Sequence, residues 1–253
     1  MNAKTERKRL DVLLVERGLA ESSHKAQAMI LAGEVEVDQQ RAEKAGLILP
    51  ETAHIEVHSR QQKYASRGGI KLEGALEDFR ITAAGKTCLD IGASTGGFTD
   101  CLLQNGAAHV YAVDVNTDQL AWKLRGEPRV TRIEKNAREL AAQDLPEAVD
   151  LVVADVSFIS VAKILGGATA CANAGAELLI LVKPQFELAR QDVAQGGIVR
   201  EKPLHDKAVA TVREAMEAAG LQVLGLAPSR LSGAEGNQEY FLHARKPAGV
   251  ESR

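Results

Sequence analysis

The fold is decided by the residues from Asp90 to Phe98, which read D-I-G-A-S-T-G-G-F. They overlap the end of an apolar run, Thr87–Ile91, whose length is typical of a buried β-strand. The glycines let the backbone turn sharply and approach a ligand closely, at the start of the helix that follows. The stretch therefore predicts a strand, a ligand-binding turn and a helix.

Apolar runs of strand length recur along the rest of the chain and alternate with longer amphipathic segments. The runs are Thr87–Ile91, Val110–Val113, Leu151–Ala154, Leu178–Val182, Val223–Leu226 and Tyr240–Leu242. Strands separated by helical segments predict a mostly parallel sheet with helices on both faces. We expect an α/β domain of Rossmann-like type over residues 70–247, followed by a tail at 248–253.

The chain before this domain has a different pattern. Short helices are predicted at Leu10–Arg17 and Ser23–Ile30, each followed by a glycine. Alternating apolar residues predict short strands at Val35–Val37 and Ile55–Val57. The pattern indicates a small α+β domain at 1–57 and a polar interdomain linker at 58–69.

The composition limits the function classes. The chain has 253 residues, 45% of them hydrophobic and 26% charged, and a net charge of −3. A uniformly basic protein that coats nucleic acid is excluded, so RNA contacts must come from local patches such as Lys4–Arg9 and Arg60–Lys71. Such runs are usually solvated faces, and the patches alone do not decide between the two interpretations.

The apolar runs also bear on location. The start of the chain lacks the apolar segment of a signal peptide, and no run is long enough to cross a bilayer. We expect a cytoplasmic protein without membrane contact and, by default, a monomer. Cys88, Cys101 and Cys171 are widely spaced without a CxxC pair, so they predict reduced, buried thiols and no metal site.

Two acidic residues refine the prediction of a ligand. Asp114 closes the strand after the glycine turn, where a carboxylate can bind ribose hydroxyls. Asp90, before the turn, would repel the phosphates of NAD but would suit the cationic methionine end of S-adenosylmethionine. We therefore favour a methyl-donor site over a dinucleotide site or a turn without a ligand.

Methyl transfer to a hydroxyl needs a base and an aligned oxygen. Desolvation can make the neutral form of a lysine amine accessible. Lys183 and Asp155 each close an apolar strand, at the carboxyl edge where open α/β sheets bind ligands. A single lysine there is usually only solvated, so the interpretation depends on the whole set, which includes Lys71 and Glu239.

The first domain resembles the RNA-binding domain first seen in a small-subunit ribosomal protein. The matching residues are R-L-D at 9–11, S-H-K-A at 23–26 and G-E-V-E-V at 33–37. Asp38-Gln39 stands where family members often have an Asn-Gly turn, so the geometry of this turn stays open. The candidate RNA-binding residues are Arg7, Arg9, Lys25, Arg60 and Arg67.

The second domain resembles the FtsJ-type ribose 2′-O-methyltransferases, whose catalytic residues follow the order Lys, Asp, Lys, Glu. The match is closer still to the TlyA (hemolysin A) family and covers nearly the whole chain. It rests on S-R-G-G-I-K-L at 66–72, D-I-G-A-S-T-G-G-F at 90–98, D-V-S-F-I-S at 155–160 and L-V-K-P-Q-F-E at 181–187.

This resemblance implies a seven-stranded sheet and 2′-O-methylation of cytidine in ribosomal RNA within ribosomal subunits. Lys183 would act as the base, Asp155 would set its charge state, and Lys71 and Glu239 would orient the ribose. The implied residues for S-adenosyl-L-methionine are Asp90, Gly92, Ala93, Ser94, Thr95, Gly96, Gly97, Phe98, Asp114, Val115 and Asn136.

Two other function classes stay open. A ribosome assembly factor could keep the fold without turnover, although it has no need of all four polar residues. A membrane-active hemolysin is suggested by the family name alone, because no spanning segment or strongly amphipathic basic helix is found.

Several single residues have competing interpretations. Asn136 lies near the adenine or merely caps a helix, and the polar stretch Glu187–His205 is a substrate loop or an ordinary surface excursion. We expect Trp122 to pack inward, and we favour Phe158 as a core residue over a base-stacking platform.

Overall fold

A computed structural model describes residues 7–57, 63–233 and 236–248. The chain divides into two compact units, with the boundary between residues 62 and 63.

The first unit is an α+β domain. Its elements are β1 (Arg7–Arg9), α1 (Leu10–Glu16), α2 (Ser23–Leu31), β2 (Val35–Val37), β3 (Gln40–Arg41), β4 (Ile48–Pro50) and β5 (Ile55–Val57). Strand β1 pairs with β4, and β2 lies between β3 and β5. The core is apolar and includes Leu10, Leu14, Ile30 and Val35. Both predicted helices and both predicted strands are present.

A helix cap and a tight turn shape the first unit. The side chain of Ser22 caps α2 by accepting the Lys25 N–H at 3.2 Å. Asp38 and Gln39 both have positive φ, 51° and 66°. Positive φ at both positions is the requirement of the tight hairpin turn that joins two strands, so this pair adopts the geometry usually given to Asn-Gly.

The second unit is a doubly wound α/β domain. Its strands are β6 (Thr87–Ile91), β7 (His109–Asp114), β8 (Val130–Glu134), β9 (Val149–Ala154), β10 (Ala172–Val182), β11 (Gln222–Pro228) and β12 (Tyr240–Arg245). They form one seven-stranded sheet in the order β11-β12-β10-β9-β6-β7-β8. Within this sheet, β12 is the one strand that runs antiparallel to the other six. The predicted runs are all strands, and β8 completes the sheet.

Helices cover both faces of this sheet. They are α3 (Arg67–Phe79), α4 (Gly97–Gln104), α5 (Trp122–Arg125), α6 (Leu165–Cys171), α7 (Pro184–Glu187) and α8 (Lys202–Ala218). Neighbouring residues of β10 point to opposite faces, so Leu179 belongs to the same apolar core as Leu72 of α3, whereas Ile180 belongs to the core that contains Val212 of α8. Each such fully buried side chain stabilises the fold by about 1.5–3 kcal/mol.

The structure differs from two sequence-based expectations here. The expected linker ends earlier, because helix α3 begins at Arg67 and Tyr64 is already buried against Gly69. The expectation that Trp122 packs inward was wrong, since 77% of its surface is exposed. Leu120 and Leu124 face the core at a spacing of four, which turns Trp122 outward.

Cys88, Cys101 and Cys171 are buried free thiols, as predicted. Within the described part of the chain, no helix is long and apolar enough to span a bilayer.

Candidate active site

The glycine turn lies at the carboxyl edge of the sheet and is forced into shape by its neighbours. Gly92 has φ 86°, and a Cβ atom there would lie 2.5 Å from the carbonyl oxygen of Asp155. A Cβ atom on Gly97 would overlap Ser66 Oγ. Glycine at both positions lets the turn lie directly against the segment at Asp155 and the segment at Ser66.

Strand register puts the candidate site residues at the same level. Ile91 pairs with Val113 of β7 and with Ala154 of β9. The next residue on each strand is therefore Gly92, Asp114 or Asp155. Strand β10 extends further, to Val182, which pairs with Tyr240 of β12. Lys183 and Glu239 consequently lie beyond neighbouring strand ends.

A cavity of about 310 Å³ opens at this edge and brings three of the four predicted catalytic residues to one space. Its lining comprises Ser66, Arg67, Gly68, Lys71, Gly92, Ala93, Ser94, Thr95, Gly97, Phe98, Asp155, Ser157, Lys183 and Ser232. Helices α3 and α4 both begin at this lining, at Arg67 and Gly97. Helix N-termini favour negatively charged groups of a ligand.

The predicted catalytic residues form two ion pairs. Lys183 Nζ lies 2.6 Å from Asp155 Oδ1 and donates a hydrogen bond of 2.7 Å to Ser157 Oγ. Lys71 Nζ donates a hydrogen bond of 2.5 Å to Glu239 Oε2. Lys71 is 8% exposed and Glu239 is 2% exposed. Removing one partner would leave the other charge buried and uncompensated.

A second cavity, of about 480 Å³, adjoins the first. Its lining includes Asp114, Val115 and Asn136, and it shares Gly92, Ser94, Asp155 and Ser157 with the first cavity. Asp114 accepts the backbone N–H of Ser94 at 2.9 Å and that of Asn116 at 3.1 Å. The two cavities thus meet at the glycine turn and form one crevice.

Asn136 caps a short turn and also lines a cavity, so its role toward the adenine stays a prediction. Its Oδ1 accepts the Arg138 N–H at 3.1 Å and caps a short 3₁₀ turn, Ala137–Glu139. The same residue lines the second cavity.

Asp90 and Gly96 do not line either cavity. Asp90 is fully buried beneath the turn, where its Oδ2 accepts the Thr99 hydroxyl at 2.6 Å and its Oδ1 has no hydrogen-bond partner. Burial, reinforced by the charges of Asp155 and Asp114, raises the pKa of Asp90 to about 7. Gly96 instead faces Leu120 and Leu124.

Phe158 is not a core residue, and that expectation was wrong. It is 87% exposed and has φ 65°, a left-handed conformation that is unusual for an aromatic residue. Its ring contacts Phe186 at 5.2 Å between centroids and lines the second cavity. Its position three residues after a strand-end aspartate, where the chain leaves the sheet, was the available signal for exposure.

Other lining residues were not anticipated. Ser157 contacts the Lys183 amine directly, and Ser66 and Ser232 line the first cavity. Serine is frequent in loops of every kind, so these residues carried no distinct signal in the sequence.

The candidate RNA-binding residues differ in whether their side chains already have partners within the protein. In the first unit, Arg7 donates to the Ile48 carbonyl oxygen, Arg9 pairs with Asp11 at 2.7 Å, and Lys25 is exposed. In the second unit, Arg67 is exposed and lines the first cavity. Arg60 lies outside the described residues. Across the described ranges, no group of three or more His, Cys, Asp or Glu side chains could hold a metal ion.

Comparison with known proteins places this geometry in a family. The model of the FtsJ-like methyltransferase family matches residues 64–246, and that of the S4 domain matches residues 8–55. A relative from Mycobacterium tuberculosis, named 16S/23S rRNA (cytidine-2′-O)-methyltransferase TlyA, is 46% identical over 94% of this chain and 90% of its own length.

Two further relatives, both named hemolysin, match most of the chain. The protein named Hemolysin A from Brachyspira hyodysenteriae is 42% identical over 93% of this chain and 98% of its own length. A solved structure from Streptococcus thermophilus, provisionally named a hemolysin, matches with a TM-score of 0.74 and 39% identity over 96% of this chain and 90% of its own. From these matches, the chain belongs to the FtsJ-like methyltransferase family, in the TlyA group, and carries an S4 domain ahead of its methyltransferase domain.

Proposed function

We propose that this protein transfers a methyl group from S-adenosyl-L-methionine to the ribose 2′-hydroxyl of a cytidine in ribosomal RNA. The observation that carries the proposal is the Lys183–Asp155 ion pair, 2.6 Å long, in the same cavity as the glycine turn and Lys71. The name of the M. tuberculosis relative, an rRNA (cytidine-2′-O)-methyltransferase, supports the substrate. Since ribosomal subunits are the substrate in this proposal, we place the reaction in the cytoplasm and expect a monomeric enzyme.

Three features of the crevice support S-adenosyl-L-methionine as its ligand. A side chain at Gly92 would clash with the Asp155 carbonyl oxygen. The glycine therefore lets the turn lie directly against Asp155, with no side chain at this position to fill the crevice. Each Asp114 oxygen accepts one backbone N–H and keeps a lone pair for a ribose hydroxyl. The unpartnered Asp90 Oδ1 lies beneath the same turn. When bound, the donor supplies an electrophilic methyl group.

The side chains of the first cavity can prepare a ribose hydroxyl for attack. The hydroxyl oxygen must lose its proton and align with the methyl group. Lys183 is the group we assign to receive that proton at Nζ, after its ammonium has released a proton to solvent, and Asp155 and Ser157 hold this nitrogen in place. Lys71 lines the same cavity and is fixed by Glu239, so we assign this pair to orient the ribose.

The S4 domain supplies the second part of the proposal, binding of the rRNA itself. Arg7 and Lys25 are exposed on this domain, and Arg67 is exposed at the cavity of the other. Phosphate contacts by such cations bind nucleic acid without reading its sequence. Selection of the cytidine therefore falls to the methyltransferase crevice.

Replacing the proposed base tests the chemistry. Lys183→Ala should lower the rate of methyl transfer by about 100-fold or more, since general-base catalysis typically contributes that much. Donor binding should persist, because the glycine turn is intact. The measurement is single-turnover transfer of labelled methyl to ribosomal subunits, together with calorimetric binding of S-adenosyl-L-methionine.

The matched control is Lys86→Ala, which removes a lysine that precedes β6 at the opposite edge of the sheet. Equal rates for Lys183→Ala and the native protein would exclude Lys183 as the base. Donor binding without transfer by the native protein would instead favour a non-catalytic assembly factor.

Asp90→Asn should change how stability depends on pH. Because the folded protein raises the pKa of Asp90 from 3.8 to about 7, protonated Asp90 stabilises the fold in acid, and this contribution is lost as the pH rises through that range. The variant lacks this loss. Between pH 5 and pH 8 its free energy of unfolding should therefore gain on that of the native protein by roughly 2 kcal/mol.

Urea unfolding at several pH values gives this comparison directly. The same variant should bind S-adenosyl-L-methionine more weakly at pH 8, since it has lost a negative charge beneath the site. Parallel stability curves for the two proteins would contradict the assigned state of Asp90.

Phe158 is available to stack on a base of the RNA, because its ring is exposed at the second cavity. Phe158→Leu removes the aromatic face and keeps an apolar side chain, so kcat/KM for ribosomal subunits should fall by about 10-fold. Phe158→Tyr keeps the face and should stay within about twofold of the native value. Equal losses in both variants would show that stacking is not the role of this ring.

A further inference from the structure

Asn237 is a buried amide that stands two residues before Glu239. It is 1% exposed, and both ends of its side chain are used. Its Oδ1 accepts the Val199 N–H at 2.8 Å, and its Nδ2 donates to the Gly197 carbonyl oxygen at 2.8 Å. The amide therefore has one orientation, fixed by a donor on one side and an acceptor on the other.

The bonded residues belong to the segment 188–201, which joins α7 to α8. Lys183 stands immediately before α7. His205 of α8 holds the same segment, because its Nε2 donates to the Val199 carbonyl oxygen at 2.9 Å. This bond leaves His205 Nδ1 to accept the Tyr240 hydroxyl at 3.2 Å. Val199 is thus held through both its N–H and its carbonyl group.

The backbone of Asn237 takes part in a second contact, this time toward Glu239. Its carbonyl oxygen accepts the Gly233 N–H at 2.8 Å. Gly233 lies so close to Glu239 that a Cβ atom there would overlap the carboxylate. The Glu239 carbonyl oxygen accepts the Ser229 N–H at 2.8 Å. Gly233 thus lies against Oε1 of the Glu239 carboxylate, whereas Lys71 binds Oε2.

We infer that Asn237 is a positioning residue for methyl transfer, which holds Glu239 against Lys71 and ties the segment after Lys183 to the same strand end. The inference rests on the proposed function and adds to it a residue that touches neither ligand. The side chain fixes residue 237 to the segment 188–201, and the backbone of residue 237 fixes Gly233 against the Glu239 carboxylate. Lys71 then keeps one position for the ribose.

A double-mutant cycle separates positioning from general stabilisation. The proteins are the native chain, Asn237→Ala, Glu239→Ala and the double variant, compared by single-turnover methyl transfer at saturating donor. Asn237→Ala should slow transfer by about 10-fold, since a small displacement of a positioning group costs about that much. In the Glu239→Ala background the same change should cost less than about twofold, because the residue through which it acts is gone.

Asn237→Ser gives a second test if the alanine variant fails to fold. A serine brings no buried charge and keeps a hydroxyl that can donate or accept one hydrogen bond, so its loss should be smaller and should also vanish with Glu239→Ala. Asn173→Ala is the matched control, since Asn173 donates to the Ala148 carbonyl oxygen at the opposite edge of the sheet. Equal losses from Asn237→Ala in both backgrounds would overturn the inference.

A readout without turnover keeps the two proposals distinguishable. Amide hydrogen exchange in Asn237→Ala should become faster at Gly233 and Ser229 and stay unchanged along β6. If the native protein transfers no methyl group, the proposed function fails, and exchange still decides whether Asn237 holds this turn. Unchanged exchange at Gly233 and Ser229 would refute the positioning role by itself.

Discussion

The candidate site depends on the parallel register of β6 with β7 and β9. Ile91 pairs with Val113 and with Ala154, so the residues that follow them leave the sheet together as Gly92, Asp114 and Asp155. A slip of one residue would turn every side chain of a strand to the opposite face. The buried apolar faces fix the register, and the register in turn fixes the distance between Asp155 and the glycine turn.

The antiparallel strand β12 completes the site in a way that a parallel strand could not. Because β12 runs against β10, its first residue meets the last residue of β10, as the pair Val182–Tyr240 records. Glu239 therefore arrives at the carboxyl edge from a loop and meets Lys71 of α3. One reversed strand brings residues that are far apart in sequence into one ion pair.

The edge of the sheet holds several arrangements that cost stability. A carboxyl group is buried at Asp90 with one oxygen unpartnered, Phe158 is left-handed and exposed, and the Lys71–Glu239 pair is almost fully desolvated. Such features persist when the surrounding structure over-determines them, and they cluster at functional sites. Here the apolar cores on both faces of the sheet supply that support.

The sequence predicted what depends on periodicity and strand order. Six strands and the lysines and acids at their ends follow from apolar runs and from the rule that ligands bind at the carboxyl edge. Strand β8 gave a weak signal because it is an edge strand whose residues are mostly exposed. The burial of Trp122 and Phe158 was predicted wrongly. Trp122 is turned outward because the neighbouring leucines occupy the buried face of its short helix, and Phe158 is exposed because it follows the end of a strand.

Burial and long-range contacts were beyond the sequence pattern. Nothing local distinguishes an aspartate that faces a ligand from one that lies beneath the turn, as Asp90 does. The bonds of Asn237 join residues about forty positions apart, so only the folded chain reveals them.

Identification of the methylated nucleoside tests the central claim most directly. Purified ribosomal subunits would be incubated with the native protein and S-adenosyl-L-methionine with a labelled methyl group, digested to nucleosides and analysed by mass spectrometry. The account predicts label in 2′-O-methylcytidine. Label in a base-methylated nucleoside, or no label despite donor binding, would contradict it.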